Sequence, residues 1–158
     1  NDALFDALET GVVKRYITDF GTEDLLNKPN VTVFPHVGGS TGEAELNCAI
    51  MAGQTIRRFM ETGEIVNSVN FPRVQQALSA PYRITLINKN VPNIVARIST
   101  AVSDFNINID NIINRSKGDY AYTLLDLDET DKSKIDELVA KFEASDNIVR
   151  VRLIKGKS

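Results

Sequence analysis

Two regimes of hydrophobic patterning divide the chain. From residue 82 onward, apolar positions switch regularly between alternation and helical spacing. Residues 82–87, 107–114, 120–127 and 148–154 read as strands, and 92–105 and 131–145 as helices. Each helix offers one apolar face, Ile94, Ile98, Ala101, Val102 and Phe105 in the first and Ile135, Leu138, Val139 and Phe142 in the second. A single apolar face suits packing on one side of a sheet. The predicted order is βαββαβ, the split arrangement of ferredoxin-like domains. That superfold serves many unrelated functions, so it decides little about activity.

The first half reads differently. Leu4, Phe5 and Leu8 have helical spacing over 2–10, and Gly11 is placed to end that helix. Residues 12–20 read as a strand, 22–29 as a polar turn, and 31–34 as a second short strand. A long helix follows, with Leu46, Ala49, Ile50, Gly53, Ile56 and Met60 on one stripe and Cys48, Ala52, Thr55 and Phe59 on another. Two stripes predict burial on two sides. Ser40 and Glu43 have the spacing of a capping box, which places the helix start near Thr41. Helical periodicity stops over 67–80, where Phe71-Pro72-Arg73 reads as extended linker. The predicted organisation is a first region over 1–70, a linker over 71–80 and a second domain over 81–158.

Composition narrows the class without naming a chemistry. Hydrophobic residues make up 42% and charged residues 25% of the chain, as in ordinary globular proteins. No apolar run approaches the roughly 20 residues that span a bilayer, so no membrane partner is expected. The start Asn1-Asp2-Ala3-Leu4 reads as a cut rather than a leader. A single cysteine, Cys48, excludes an internal disulfide and a Cys-rich zinc site, which favours a reducing cytoplasm. Residues 1–80 carry 6 basic and 10 acidic side chains, and 81–158 carry 12 and 11. Neither half is basic enough for a nucleic-acid partner, and Arg57 with Arg58 reads as a solvated pair.

The candidate chemistry centres on Pro35-His36-Val37-Gly38-Gly39-Ser40-Thr41-Gly42-Glu43-Ala44, which contains the sole histidine and joins a strand to the long helix. Open α/β sheets bind ligands at the carboxyl ends of their strands, where His36 falls, although a histidine beside glycines is commonly just a turn residue. The run resembles the P-H-x-G-G-S-T-x-E-A signature of D-2-hydroxyacid dehydrogenases, and Asn67-Ser68-Val69-Asn70-Phe71-Pro72 resembles the phosphoglycerate dehydrogenases within that family. The resemblance implies that the first region is the carboxyl-terminal remnant of a Rossmann-type dehydrogenase. In this family an imidazole takes the substrate hydroxyl proton while hydride leaves for NAD, the role implied for His36. Asp19-Phe20-Gly21-Thr22-Glu23 resembles the family's D-V-F-x-x-E segment with one residue dropped, which makes Glu23 the expected orienting carboxylate. Asp24 stands where the family has proline and competes for that role, and a generic acidic loop fits the segment equally well. Gly38 and Gly39 are implied to border the cofactor. No G-x-G-x-x-G follows any strand, so NAD is expected to bind the intact parent, the serine-biosynthetic enzyme that the resemblance implies, and not this chain alone.

Residues 81–158 resemble regulatory amino-acid-binding modules of the ACT type through their whole length. That resemblance implies an effector such as L-serine held by Asn88, Asn90 and Asn108 across a homodimer, and the edge strand of a ferredoxin-like sheet can pair with a second copy. Asn88 replaces a histidine seen in some relatives, and Asn93 replaces a glycine. Helix capping explains these asparagines equally well. Two rival readings are a stand-alone amino-acid sensor, for which the P-H-x-G-G-S-T run has no use, and an RNA-recognition module. The RNA reading rests on Lys117-Gly118-Asp119-Tyr120-Ala121-Tyr122, which has one residue too many for that motif.

Overall fold

The computed structural model describes residues 1–156 and divides into two compact units, Asn1–Ile50 and Met51–Ser158. In the first unit, helix α1 (Asp2–Glu9) ends at Gly11, whose φ of +75° is the left-handed geometry that glycine adopts without strain. Strands β1 (Tyr16–Thr18) and β2 (Val31–Val33) form a two-stranded parallel sheet, with a 3₁₀ turn over Glu23–Leu25 between them. The strand predicted over 12–20 is therefore only three residues long. β2 is its sole partner among the described residues, and beyond Thr18 the hydroxyl of that residue takes the Phe20 N–H at 3.0 Å and turns the chain.

Helix α2 (Gly42–Thr62) starts where the capping residues predicted, but with a different cap. The Ala44 N–H donates to Thr41 Oγ1 at 3.1 Å, so Thr41 serves as the cap and the Ser40–Glu43 box is not the one that forms. The two-sided burial expected for α2 is also corrected. None of its residues is buried, and Leu46 and Ile56 are 60% and 63% exposed. The division between the two units falls inside α2, after Ile50, and in the first unit one eight-residue helix and two three-residue strands offer too little apolar surface to bury its first part.

The second unit follows the predicted order closely. β3 (Tyr82–Lys89), α3 (Ile94–Ser103), β4 (Asn108–Lys117), β5 (Tyr120–Asp128), α4 (Lys132–Glu143) and β6 (Ile148–Lys155) build a four-stranded antiparallel sheet in the order β4-β5-β3-β6. This is the ferredoxin-like topology, an α+β fold. Alternate strand residues Tyr82, Ile84, Leu86, Leu125 and Leu127 join Ile94, Ile98, Val102, Ile135, Leu138 and Phe142 in one core. Each fully buried side chain of this kind contributes about 1.5–3 kcal/mol. Asp131 caps α4, its carboxylate accepting from the Ser133 N–H at 2.9 Å.

A second, smaller core lies among residues of the opposite alternation. Tyr122 and Leu124 pack with Ile65 and Val74, flanked by Phe71, Ile87 and Ile113. Ile65 and Val74 exchange both backbone hydrogen bonds, at 2.8 and 3.0 Å. Residues 63–80 are non-helical, a stretch that begins four residues before the 67–80 over which helical periodicity was expected to stop, and they are fastened to the sheet rather than slack.

Candidate functional site

The parallel pairing of β1 and β2 determines what surrounds His36. Because the strands run the same way, the residues leaving their carboxyl ends emerge side by side, and the Phe34 N–H donates to the Thr18 carbonyl at 3.1 Å. Asp19 follows β1 and His36 lies three residues beyond β2. His36 Nδ1 is 2.8 Å from Asp19 Oδ2, and the Phe20 ring lies 4.3 Å from the imidazole, tilted by 47°. The side chains of His36 and Asp19 are 59% and 32% exposed. A carboxylate on Nδ1 and an aromatic wall fix the ring and leave Nε2 to accept or donate a proton.

The carboxylate that meets His36 is thus Asp19, not the expected Glu23 or its competitor Asp24. Glu23 is exposed on the 3₁₀ turn, with its backbone carbonyl taking the Leu26 N–H. Hydrogen bonds from Thr22 and from Asn1, the latter at 2.8 Å, hold the Asp24 carboxyl below its ordinary range. With a strand expected over 12–20, no sequence signal set Asp19 apart; its position directly after β1 follows from the early end of that strand at Thr18.

Gly38 and Gly39 lie in an exposed turn, with no heavy atom of the described residues where a Cβ would stand. Packing within the chain therefore does not demand glycine there, and the turn presents bare backbone in front of α2. A dinucleotide needs more than this: a longer glycine-bearing turn opening a helix for the pyrophosphate and a carboxylate for the ribose. The described residues do not fit NAD by themselves.

The three candidate effector asparagines fall in different environments. Asn88 is fully buried; its Oδ1 accepts from Thr123 Oγ1 at 2.9 Å and its Nδ2 donates to the Lys89 carbonyl at 3.0 Å. Thr123 Oγ1 in turn accepts from Asn114 Nδ2 at 2.7 Å, so one row of polar groups crosses β4, β5 and β3. Thr123 and Asn114 gave no sequence signal for this role. Asn90 is exposed and fastened to the β4–β5 hairpin, with Nδ2 donating to the Gly118 carbonyl at 3.0 Å and its N–H to the Asp119 carbonyl at 2.8 Å.

Asn108 is exposed at the start of β4. Register places Asn88 opposite Ala121 and Ala121 opposite Ser116, so Asn108 lies eight residues along β4 from the row of Asn88. At about 3.3 Å per residue that is roughly 26 Å. Within one chain, Asn90 and Asn108 belong to opposite ends of the sheet. Asn93 precedes α3 with φ of +63° and makes no side-chain cap bond. Asparagine tolerates this left-handed geometry better than other non-glycine residues, which explains how it stands at a glycine position.

Among the described residues, no cluster of three or more His, Cys, Asp and Glu side chains is placed to hold a metal ion, and no helix is long and apolar enough to cross a membrane.

No protein-family model matches the chain. It is 31% identical over 139 residues to D-3-phosphoglycerate dehydrogenase 2 of Saccharomyces cerevisiae, covering 84% of this chain and 29% of that protein. Against D-3-phosphoglycerate dehydrogenase of Escherichia coli it is 26% identical over 133 residues, covering 84% and 32%. The chain therefore spans about a third of the length of these relatives. Among solved structures, the ACT domain of a Chlorobium tepidum GTP pyrophosphokinase is similar with a TM-score of 0.42 at 18% identity, over 46% of this chain and 95% of that one.

Proposed function

Since this chain is similar over 84% of its length to D-3-phosphoglycerate dehydrogenases, we propose that it is the carboxyl-terminal portion of such an enzyme. It carries the acid–base histidine and an ACT-type regulatory domain. The parent is a cytoplasmic, NAD-dependent oxidoreductase of serine biosynthesis that acts on 3-phosphoglycerate. The observation that carries this reading is the His36–Asp19 pair at the carboxyl ends of two parallel strands, 2.8 Å apart.

His36 Nε2 takes the proton of the substrate's secondary hydroxyl, and Asp19 holds the ring and stabilises the imidazolium that results, the division of labour of a general base and its orienter. Glu23 is the second reading for that orienter, favoured by its place in the D-x-x-x-E segment. The cofactor supplies hydride acceptance in the parent, and its cleft lies outside this chain.

The ACT-type reading of residues 81–158 rests on the βαββαβ order and on resemblance over that length. Asn90 and a partner copy's Asn108 are proposed to hold the effector amino acid, with Asn88 supporting the loop from inside. Pairing of two copies through the free edge of β4 can bring these two positions together, which one chain by itself does not do.

The test has two arms. The 158-residue chain with 3-phosphoglycerate and NAD is expected to give no reduced-cofactor absorbance. In the intact enzyme, His36→Ala is expected to lower kcat by at least about 10²-fold, the scale of a lost general base. Turnover by the chain alone, or a smaller loss in the intact variant, would refute the assignment.

A further inference from the structure

Arg83 has no solvent exposure, and all five of its N–H donors are engaged. Nε and Nη2 grip the Asp126 carboxylate, the latter at 2.7 Å. Nη1 donates to the carbonyls of Thr62 and Gln76, both at 2.8 Å, and Nη2 to that of Ala77 at 3.0 Å. One guanidinium on β3 therefore binds β5, the last residue of α2 and the segment leading into β3.

Neighbouring groups act in the same direction. Arg152 on β6 donates to the carbonyls of Phe59, at 2.9 Å, and Met60, and stacks over the Phe59 ring at 5.1 Å. Tyr122 donates its phenol proton to the Gly63 carbonyl at 2.7 Å. Glu64 accepts from the Gln76 N–H at 2.7 Å and pairs with Arg58 at 3.3 Å, closing residues 64–76 into a loop. A helix leaves its last four carbonyls without intrahelical partners and bears partial negative charge there. Two sheet arginines donate to three of these four carbonyls, that of Phe59 accepting from the Gly63 N–H as well, at 2.9 Å.

We propose that Arg83 is the latch of a strap: with Asp126 behind it, it clamps the end of α2 and residues 63–77 onto the sheet. A displacement of β3 or β6 is then delivered to the last turn of α2 instead of being lost in slack chain. Any change in chain direction has to be taken up before Thr62. Gly63 makes the close seat possible. Its φ is +73°, and a Cβ there would stand 2.5 Å from Thr85 Cγ2 and 3.0 Å from Ile154 Cδ1. This device holds whether or not an amino acid binds the domain.

Hydrogen exchange on the full 158-residue chain tests the latch, reading the Ile65 and Val74 amides of the strap against the Ile84 and Leu125 amides of the sheet. In the unmodified chain the strap amides should exchange within about 10-fold of the sheet amides. The double variant Arg83→Met with Asp126→Leu leaves no orphaned charge and keeps the volume apolar. It should speed exchange at Ile65 and Val74 by at least about 100-fold while Ile84 and Leu125 change by less than about 10-fold. Trypsin should then cut after the exposed Arg73 faster than it does in the unmodified chain. Should the double variant fail to fold, Gly63→Ala, which wedges a methyl group between strap and sheet, is expected to release the same amides. Strap protection that survives whichever variant folds would mean that apolar contacts alone hold the segment, and would overturn the proposal. Strap amides that already exchange about 100-fold faster than the sheet in the unmodified chain would overturn it too.

Discussion

Asp19 reaches His36 because β1 and β2 are parallel, and the 2.8 Å contact joins residues 17 positions apart in sequence. If the carboxylate orients the imidazole, the two groups act as a unit and their losses do not add. In the intact enzyme, Asp19→Asn is expected to lower kcat by about 10- to 100-fold, and the double change with His36→Ala to be no worse than His36→Ala alone. Steady-state kinetics on the four proteins check this. If Glu23→Gln instead shows the non-additive loss and Asp19→Asn adds independently, the orienter is Glu23.

Tyr122 should ionise late, above the ordinary phenol range. Burial pushes its phenol above the ordinary value of 10, against smaller opposing effects of Thr85, Arg152 and Arg83. The folded state favours the protonated phenol, so its contribution to stability is fully present below pH 10 and is lost as pH rises through the higher folded value. Absorbance near 295 nm should show a late phenol ionisation above pH 10 that is accompanied by unfolding. Tyr122→Phe should remove that late step and weaken the hold on Gly63. A late step that persists in the variant would assign it to another tyrosine.

Asn93 invites a stability test that separates backbone from pocket. At φ of +63°, Asn93→Ala should cost about 1–2 kcal/mol, whereas Asn93→Gly should be neutral to within a few tenths. Chemical denaturation of the chain reads both. An alanine variant as stable as the original would mean that the loop before α3 relaxes out of the left-handed geometry.

L-Serine, as the proposed effector, should raise the stability of the proposed dimer by RT ln(1 + [L]/Kd), about 2.7 kcal/mol at 100 times Kd. Asn90→Ala and Asn108→Ala should each abolish the shift while leaving the dimer intact. Asn88→Ala should lower stability with or without serine, since it orphans the buried Thr123 hydroxyl bond. If about 10 mM serine moves the melting temperature no more than alanine or glycine does, the domain is a dimerisation module and not a serine sensor.

The helices of the second unit were legible because each packs one face only, and β3 because its apolar residues alternate even though its other face is covered as well. Ile135, Leu138 and Phe142 declare a helix side as plainly as the alternation of Tyr82, Ile84 and Leu86 declares a strand face. Residues whose surroundings come from distant chain were not legible. The extent of β1 is set by its three-residue partner, not by the longer apolar run around it. The stripes of α2 speak of a surface that the described residues do not supply. Asn88 reads as a loop ligand until the register places it beside Thr123, and Asp19 reads as part of an acidic loop until parallel pairing places it beside the imidazole.

The row Asn114–Thr123–Asn88 also indexes the sheet. A strand that slips by one residue turns every side chain to the other face. Slippage of β5 against β3 would withdraw the Thr123 hydroxyl from both amides at once, leaving buried polar atoms unpaired at about 1–3 kcal/mol each. Apolar neighbours such as Leu124 and Leu125 tolerate exchange of one leucine for another, so they discriminate weakly between registers. Three polar side chains that satisfy one another in a single alignment make the mispaired sheets costly, and so favour one register while the domain folds.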